Sequence, residues 1–152
     1  MRAALIIAIG ALILFFGVRK MKHNEETLIL ARTIYGEARG EGEAGMTAVA
    51  NVVMNRVEAG GWFGDGVVAV CQKPWQFSAW NANDPNRAKI EAMQPGDNSV
   101  FDLALNIAAL AIAGDLGDVT GGATHYHTRA ISPSWASSLT VSGVLGNHIF
   151  YT

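Results

Sequence analysis

Cysteine is nearly absent: Cys71 stands alone in 152 residues, which excludes an intramolecular disulfide framework and any cysteine-rich zinc module. Charge is scarce too, with Asp, Glu, Lys and Arg at 16% of the chain against 50% hydrophobic residues. That much apolar surface, once buried, offsets the ordering entropy, so intrinsic disorder is excluded. The 17 glycines follow no three-residue period and no internal repeat is visible, which removes collagen-like and low-complexity architectures. Positive charge is thin in the body of the chain. Four of the 11 basic residues (Arg2, Arg19, Lys20 and Lys22) fall within residues 1–22, which hold no acid. The other seven face all 13 acidic residues, a net charge of −6 over residues 23–152. Such a body is a poor match for phosphate backbones, so nucleic acid is not an expected partner.

What is present divides into two parts. Residues 3–18 read AALIIAIGALILFFGV, sixteen positions without a charge or a hydrogen-bonding side chain. As a helix the run would be roughly 24 Å long, somewhat short of the ~30 Å hydrocarbon core of a bilayer. A cleaved signal peptide should end in a small-x-small site, and Phe15-Phe16-Gly17-Val18-Arg19-Lys20 offers none. A core helix would carry polar residues on its outer face. The expectation is therefore an uncleaved membrane anchor over 1–22, with residues 3–18 in the membrane, and a one-domain body over 23–152. The basic residues are denser on the C-terminal side of the run, which by the positive-inside tendency would leave the body cytoplasmic.

Past a polar hinge at 20–27 the periodicity is helical, and helices are expected over 27–38, 43–58, 66–72, 86–94 and 99–113. The first has Leu28, Ala31, Ile34, Tyr35 and Ala38 on one face. The second has Met46, Val49, Ala50, Val53 and Val57 inside and stops at Gly60-Gly61. The last, SVFDLALNIAALAIA, reads as the central buried helix, capped by Ser99 and Gly114. After Gly121-Gly122, aromatic and β-branched residues among turn formers point to irregular structure with a small hairpin. The body reads as one small, mainly α domain.

Four segments have the residue types that chemistry needs. Tyr35-Gly36-Glu37-Ala38-Arg39-Gly40-Glu41 puts two acids at the glycine-rich end of an apolar helix. A carboxyl group partly withdrawn from water keeps a proton to higher pH, as a general acid for a glycosidic oxygen must. The alternative is a solvated helix end. Asn51 and Asn55 share a helix face beside Arg56, suited to tying helices together or to the polar wall of a cleft. Pro74-Trp75-Gln76-Phe77-Ser78-Ala79-Trp80-Asn81 interleaves three aromatics with amides and a hydroxyl. Such a loop can stack on sugar faces, or it can plug one end of the core. Gly122-Ala123-Thr124-His125-Tyr126-His127, with His148 further on, allows a zinc reading or hydrogen bonding along a groove. Cys71 sits on an apolar turn with no activating base in view and reads as a small buried hydrophobe.

Four runs together carry a resemblance. ARTIYGEARGEGEAGMTAVANVVMNRV, VVAVCQKPWQFSAW, GGATHYHT and GNHIFY, in that order, resemble the spore-cortex-lytic (SleB-like) cell wall hydrolase family, in the form found in phages and Gram-negative bacteria. The resemblance covers about 27–152. It implies a small lysozyme-like fold acting on peptidoglycan glycan strands as a muramidase or lytic transglycosylase, with no cofactor and no metal. The family's catalytic acid falls on Glu37, with Glu41 as the nearest candidate for a second carboxylate. Trp75, Gln76, Phe77, Ser78 and Trp80 would then form one glycan wall, and Tyr126 and His127 the other, with Asn55 contributing to the cleft. The 152 residues contain no wall-binding repeat, and the His-Tyr-His run replaces the tyrosines and asparagine usual in the spore enzymes.

The resemblance also bears on the anchor. Wall cleavage needs the body on the periplasmic side of an inner membrane, against the charge tendency of the anchor's flanks. A short, glycine-bearing, alanine-rich anchor on such a domain is similar to the signal-anchor-release type of phage endolysin used in host lysis. Two other functions fit the composition. One is a zinc amidase using His125, His127 and His148; the other is a membrane-anchored, non-catalytic peptidoglycan-binding protein.

Overall fold

The structure, a computed structural model, describes residues 25–152, so the expected anchor over 1–22 lies outside the described residues. The chain is helical from 25 to 38 (α1), followed by α2 (Gly42–Ala59), α3 (Val67–Gln72), α4 (Asn86–Ala92) and α5 (Ser99–Ala113). Strands β1 (His125–Thr128), β2 (Val141–Leu145) and β3 (His148–Tyr151) come last, and short 3-10 turns occupy Gly61–Phe63, Ser78–Trp80 and Ser134–Ser138. Among the described residues no helix is long and apolar enough to cross a membrane. The expected helices are all present, within two residues at each end.

The sheet is larger than the single hairpin expected. β2 and β3 form that hairpin, turning at Gly146-Asn147, where Gly146 takes the left-handed φ of 54° that such a turn requires. β1 adds to the free side of β3, giving the antiparallel order β1-β3-β2. Its four residues are too few and too mixed to show a strand period. They become a strand because β3 offers them an edge.

The centre of the body is α2, not α5. Met46, Val49, Ala50 and Val53 of α2 pack with Leu30 and Ile34 of α1, Val70 and Cys71 of α3, Phe77, and Phe101 of α5. On its other side Ala48 and Val52 meet Ala123 and Phe150 of β3. α2 is thus covered from two directions and joins the helices to the sheet. α5, more apolar in composition, is buried along one stripe only (Phe101, Ala104, Ile107, Ala108 and Ala111), and Leu110 is 46% exposed. It packs from one side, and a folded surface tolerates isolated apolar residues. Its N-cap is Asn98, whose side-chain oxygen accepts from Phe101 N–H at 2.9 Å, one residue before the expected Ser99. Gly114 closes the other end in the left-handed conformation (φ 80°), as its position implied.

Candidate active site

Glu37 lies on the last turn of α1, with its carboxylate held from two directions. Oε1 accepts from the backbone N–H of Ala79 at 3.1 Å and from Ser78 Oγ at 3.3 Å. Oε2 accepts from the Tyr126 hydroxyl at 3.0 Å. These donors stand on the Ser78–Trp80 turn and on β1, so the helix end, the aromatic loop and the sheet converge on one side chain. Gly36 permits the approach: a Cβ there would stand 2.6 Å from Ala79 Cβ.

Around Glu37 opens a cleft of about 640 Å³. Trp62, 71% exposed, and Trp75, 81% exposed, line one part of it, and His125, Tyr126, His127, Trp135 and His148 line another. The floor carries a buried cation. Arg56 donates from Nε to Thr124 O at 2.7 Å and from Nη1 to Gln76 Oε1 at 3.1 Å. Its guanidinium lies over Phe77, 4.8 Å from the ring centre. Burial lowers the Arg56 pKa below its ordinary value, opposed by Tyr126, Cys71 and Glu37; an arginine remains a cation there. Burial and the neighbouring Glu37 raise Tyr126 well above the ordinary tyrosine value, so its hydroxyl keeps its proton and donates to the carboxylate.

Several expected wall residues belong to the framework instead. Phe77, 1% exposed, sits in the core beneath Arg56. Trp80, 8% exposed, donates its indole N–H to Thr33 Oγ1 at 2.9 Å, which satisfies the polar edge of the ring inside the protein. Gln76 touches the cleft, but both ends of its amide are engaged, by Arg56 and by Phe63 O at 3.0 Å. Asn55 lies outside the cleft lining and ties α2 to the loop before β1 through Asp118, Thr120 and Ala123 O. Asn51 does the same through Gly117 O and Val119 N–H. Trp75 and Ser78 also line the cleft, as does Asn81 at the end of the loop.

Glu41 is no partner for Glu37. Its carboxylate accepts from the backbone and side-chain nitrogens of Asn147, at 3.3 and 3.2 Å, and so pins the β2–β3 turn to the α1–α2 junction. Among the residues lining the cleft, Glu37 is the one carboxylate. His127 lines the cleft, yet Nδ1 contacts Thr128 O at 2.8 Å and Nε2 contacts the Tyr151 hydroxyl at 2.8 Å. A carbonyl only accepts, so Nδ1 carries a proton and neither nitrogen is free for a substrate or a metal. His125 pairs with Thr124 Oγ1 through Nδ1; burial, then Arg56, lowers its pKa, and the ring stays neutral near pH 7. His148 stacks edge-on against Tyr126, and its buried Nδ1 has no protein partner. Among the described residues no three His, Cys, Asp or Glu side chains are grouped to hold a metal ion. Cys71 is buried and burial pushes its thiol up to about 12, so it is inert at neutral pH.

Trp62, like Trp135, lines the cleft although sequence reasoning did not single it out. Its signal was present: an aromatic pair, Trp62-Phe63, enclosed by Gly60-Gly61 and Gly64. The glycines read as a helix stop, but they also free a short loop to push a large ring into solvent.

A family model described as cell wall hydrolase matches residues 40–151 of this chain, beginning three residues after Glu37. The chain is 31% identical over 130 residues to the spore cortex-lytic enzyme of Halalkalibacterium halodurans, a match covering 84% of this chain. It spans 34% of that relative's length. Among solved structures, the catalytic domain of the Bacillus cereus SleB protein superposes with a TM-score of 0.68 at 28% identity, covering 85% of this chain and 91% of that one. The catalytic domain of the germination-specific lytic transglycosylase SleB from Bacillus anthracis gives 0.67 at 29% identity, over 84% and 93%.

Proposed function

The chain belongs to the cell wall hydrolase family, and from that premise we propose that it cleaves peptidoglycan glycan strands as a lytic transglycosylase with Glu37 as its acid and base. The bond cut is the one between N-acetylmuramic acid and N-acetylglucosamine. The observation that carries this reading is that Glu37 is the one carboxylate lining the cleft. A glycosidase that uses water or a covalent intermediate needs a second carboxylate about 5–9 Å from the first. Glu41, the nearest in sequence, is turned onto Asn147.

A single carboxyl group suffices if the sugar supplies its own nucleophile. The Ala79 N–H can only donate, so it keeps Oε1 an acceptor and directs the acidic proton to Oε2. That proton passes to the glycosidic oxygen as the C1–O bond breaks, and the N-acetylglucosamine side leaves with a free hydroxyl. Positive charge develops at C1 of the muramic sugar, opposite the carboxylate now exposed. The 6-hydroxyl of the same sugar then attacks C1 and gives its proton to Glu37, closing a 1,6-anhydro ring and restoring the acid. No water is consumed. Tyr126 and Ser78 hold the carboxyl group through both transfers because each hydroxyl can donate or accept. Trp62 and Trp75 offer faces on which sugars stack in a lysozyme-like cleft.

The test is mass spectrometry of muropeptides released from purified peptidoglycan by the full chain, with Glu37→Gln beside it. Anhydromuramic ends that vanish in the variant are the expected result. Reducing muramic ends would mean hydrolysis, and unchanged release by Glu37→Gln would overturn the assignment. Residues 1–22 we read as a signal anchor that holds the body on the periplasmic face of the inner membrane until release, as in a phage lysis enzyme. A reporter fused after residue 22 that is active only in the cytoplasm would refute that orientation.

A further inference from the structure

A second cavity, of about 490 Å³, adjoins the cleft, and Trp75 and Asn81 line both. Trp75 is the one non-glycine residue with a positive φ among the described residues (φ 68°), and its N–H donates to Asn81 Oδ1 at 3.3 Å. A bulky residue in the left-handed region is strained, and strain of this kind persists where surrounding structure imposes it. Its effect here is to stand an exposed ring between two cavities.

The chemistry changes across that ring. The second cavity is lined by Lys73 and Arg87 and by no carboxylate, in a body whose net charge is −6. Three of the body's other cations, Arg32, Arg39 and Arg56, are committed to protein acceptors. Lys73 Nζ lies 4.1 Å from the ring centre of Trp62, which lines the cleft, so its charge sits near the junction of the two cavities. Arg87 meets Glu91 on the surface through Nε at 2.9 Å, which leaves its terminal nitrogens for another partner. Gln72 and Asn83 add amides to the wall.

A glycan strand is uncharged along its sugars. The carboxylates of peptidoglycan are carried by the peptide stem that branches from the lactyl group of muramic acid. A cavity with two cations and three amides, opening off a glycan cleft, has its match in the carboxylates along that stem, whereas a strand stripped of peptide offers only the lactyl carboxylate held against the sugar itself. Resting on the glycosidase reading above, we infer that Lys73 and Arg87 bind the carboxylates of the peptide stem next to the scissile bond. The protein then selects stem-bearing strands over strands stripped of peptide.

The experiment compares glycan strands of equal length, with stems intact or removed by an amidase, as substrates for the full chain in mild detergent. Wild type should favour stem-bearing strands, and Arg87→Gln and Lys73→Gln should each lower kcat/KM on them by roughly tenfold, mainly through KM. Arg87→Gln should cleave stripped strands as wild type does, and Arg87→Lys should recover most of the preference. Both residues lie outside the core, and melting curves check that the variants fold. Equal wild-type rates on the two substrates would overturn the inference, as would an Arg87→Gln protein that slows on both alike. If wild type cleaves neither, the glycosidase reading itself falls and this one falls with it.

Discussion

In Gly36→Ala the new Cβ would stand 2.6 Å from Ala79 Cβ and 3.3 Å from Ile90 Cγ2. Ordinary contact begins near 3.4 Å, so the Ser78–Trp80 turn must retreat by about 0.8 Å. Two effects on stability oppose each other. Alanine is the better helix former by about 1 kcal/mol. Forcing a methyl group into filled space costs about 1–3 kcal/mol. The obstructing atom is a Cβ fixed to the backbone of a short turn, not the end of a flexible chain, so the cost lies in the upper part of that range. A net loss of about 1 kcal/mol follows, on the order of 3–5 °C in Tm. Activity should fall further than stability. The Ala79 N–H donates to Glu37 Oε1 at 3.1 Å, and the same displacement carries it beyond hydrogen-bond length. Misplacing a catalytic group by ~1 Å can cost ~100-fold in rate, so kcat should fall by about 10–100-fold with KM nearly unchanged. Thermal melting and the initial rate of muropeptide release, measured on the same preparation, separate the two effects. A Gly36→Ala protein that melts above wild type and keeps full kcat would refute the idea that the Ala79 amide positions Glu37.

Two residues of one aromatic loop should respond in opposite ways. Trp75→Ala removes an exposed ring, so it should raise KM several-fold and leave Tm within a degree or two, whereas Phe77→Ala should cost about 3–5 kcal/mol in a urea titration. Equal melting of the two variants would contradict the burial assigned to them. Acid should weaken the fold in two separable windows. Burial raises the Asp118 carboxyl pKa, but hydrogen bonds from the Thr120 hydroxyl and N–H, Gly122 N–H and Asn55 outweigh it and leave the group below its ordinary value. The unfolded chain therefore binds a proton there before the folded chain does, so stability present above about pH 4 is lost as pH falls through the folded value. His125 acts the same way higher up, losing stability as pH falls below the ordinary imidazole value of about 6.5. Melts of wild type and Asp118→Asn from pH 7 to pH 3 should converge toward acid; a constant gap would contradict the Asp118 assignment.

The parts of this fold visible in the sequence were those decided within a few residues. α5 runs from Ser99 to Ala113 and ends at Gly114, where a terminating glycine supplied the left-handed conformation. The stripe Met46, Val49, Ala50 and Val53 is buried because helical spacing puts those positions on one face whatever lies opposite. Glu37 stood out for a similar reason: an acid at the glycine-rich end of an apolar helix is a local pattern. Burial of α5 was overestimated because apolar composition shows what a helix tolerates and not how many neighbours cover it.

The site was decided at longer range. Glu37 meets Ser78, Ala79 and Tyr126 across 41, 42 and 89 residues, and no local pattern encodes those meetings. Within one loop, Trp75 faces solvent while Phe77 and Trp80 are buried, because Arg56 lies over Phe77, Thr33 accepts from Trp80 and nothing covers Trp75. Glu41 and His127 have the chemistry of functional residues, but Asn147 holds the first while Thr128 and Tyr151 hold the second. Residue type and spacing thus determined the helices, the glycine that ends α5 and the place of Glu37 at a helix end. Only the tertiary structure decided which polar groups were already paired and which were left to meet a substrate, because a hydrogen bond made inside the protein removes a group from chemistry that its identity would otherwise allow.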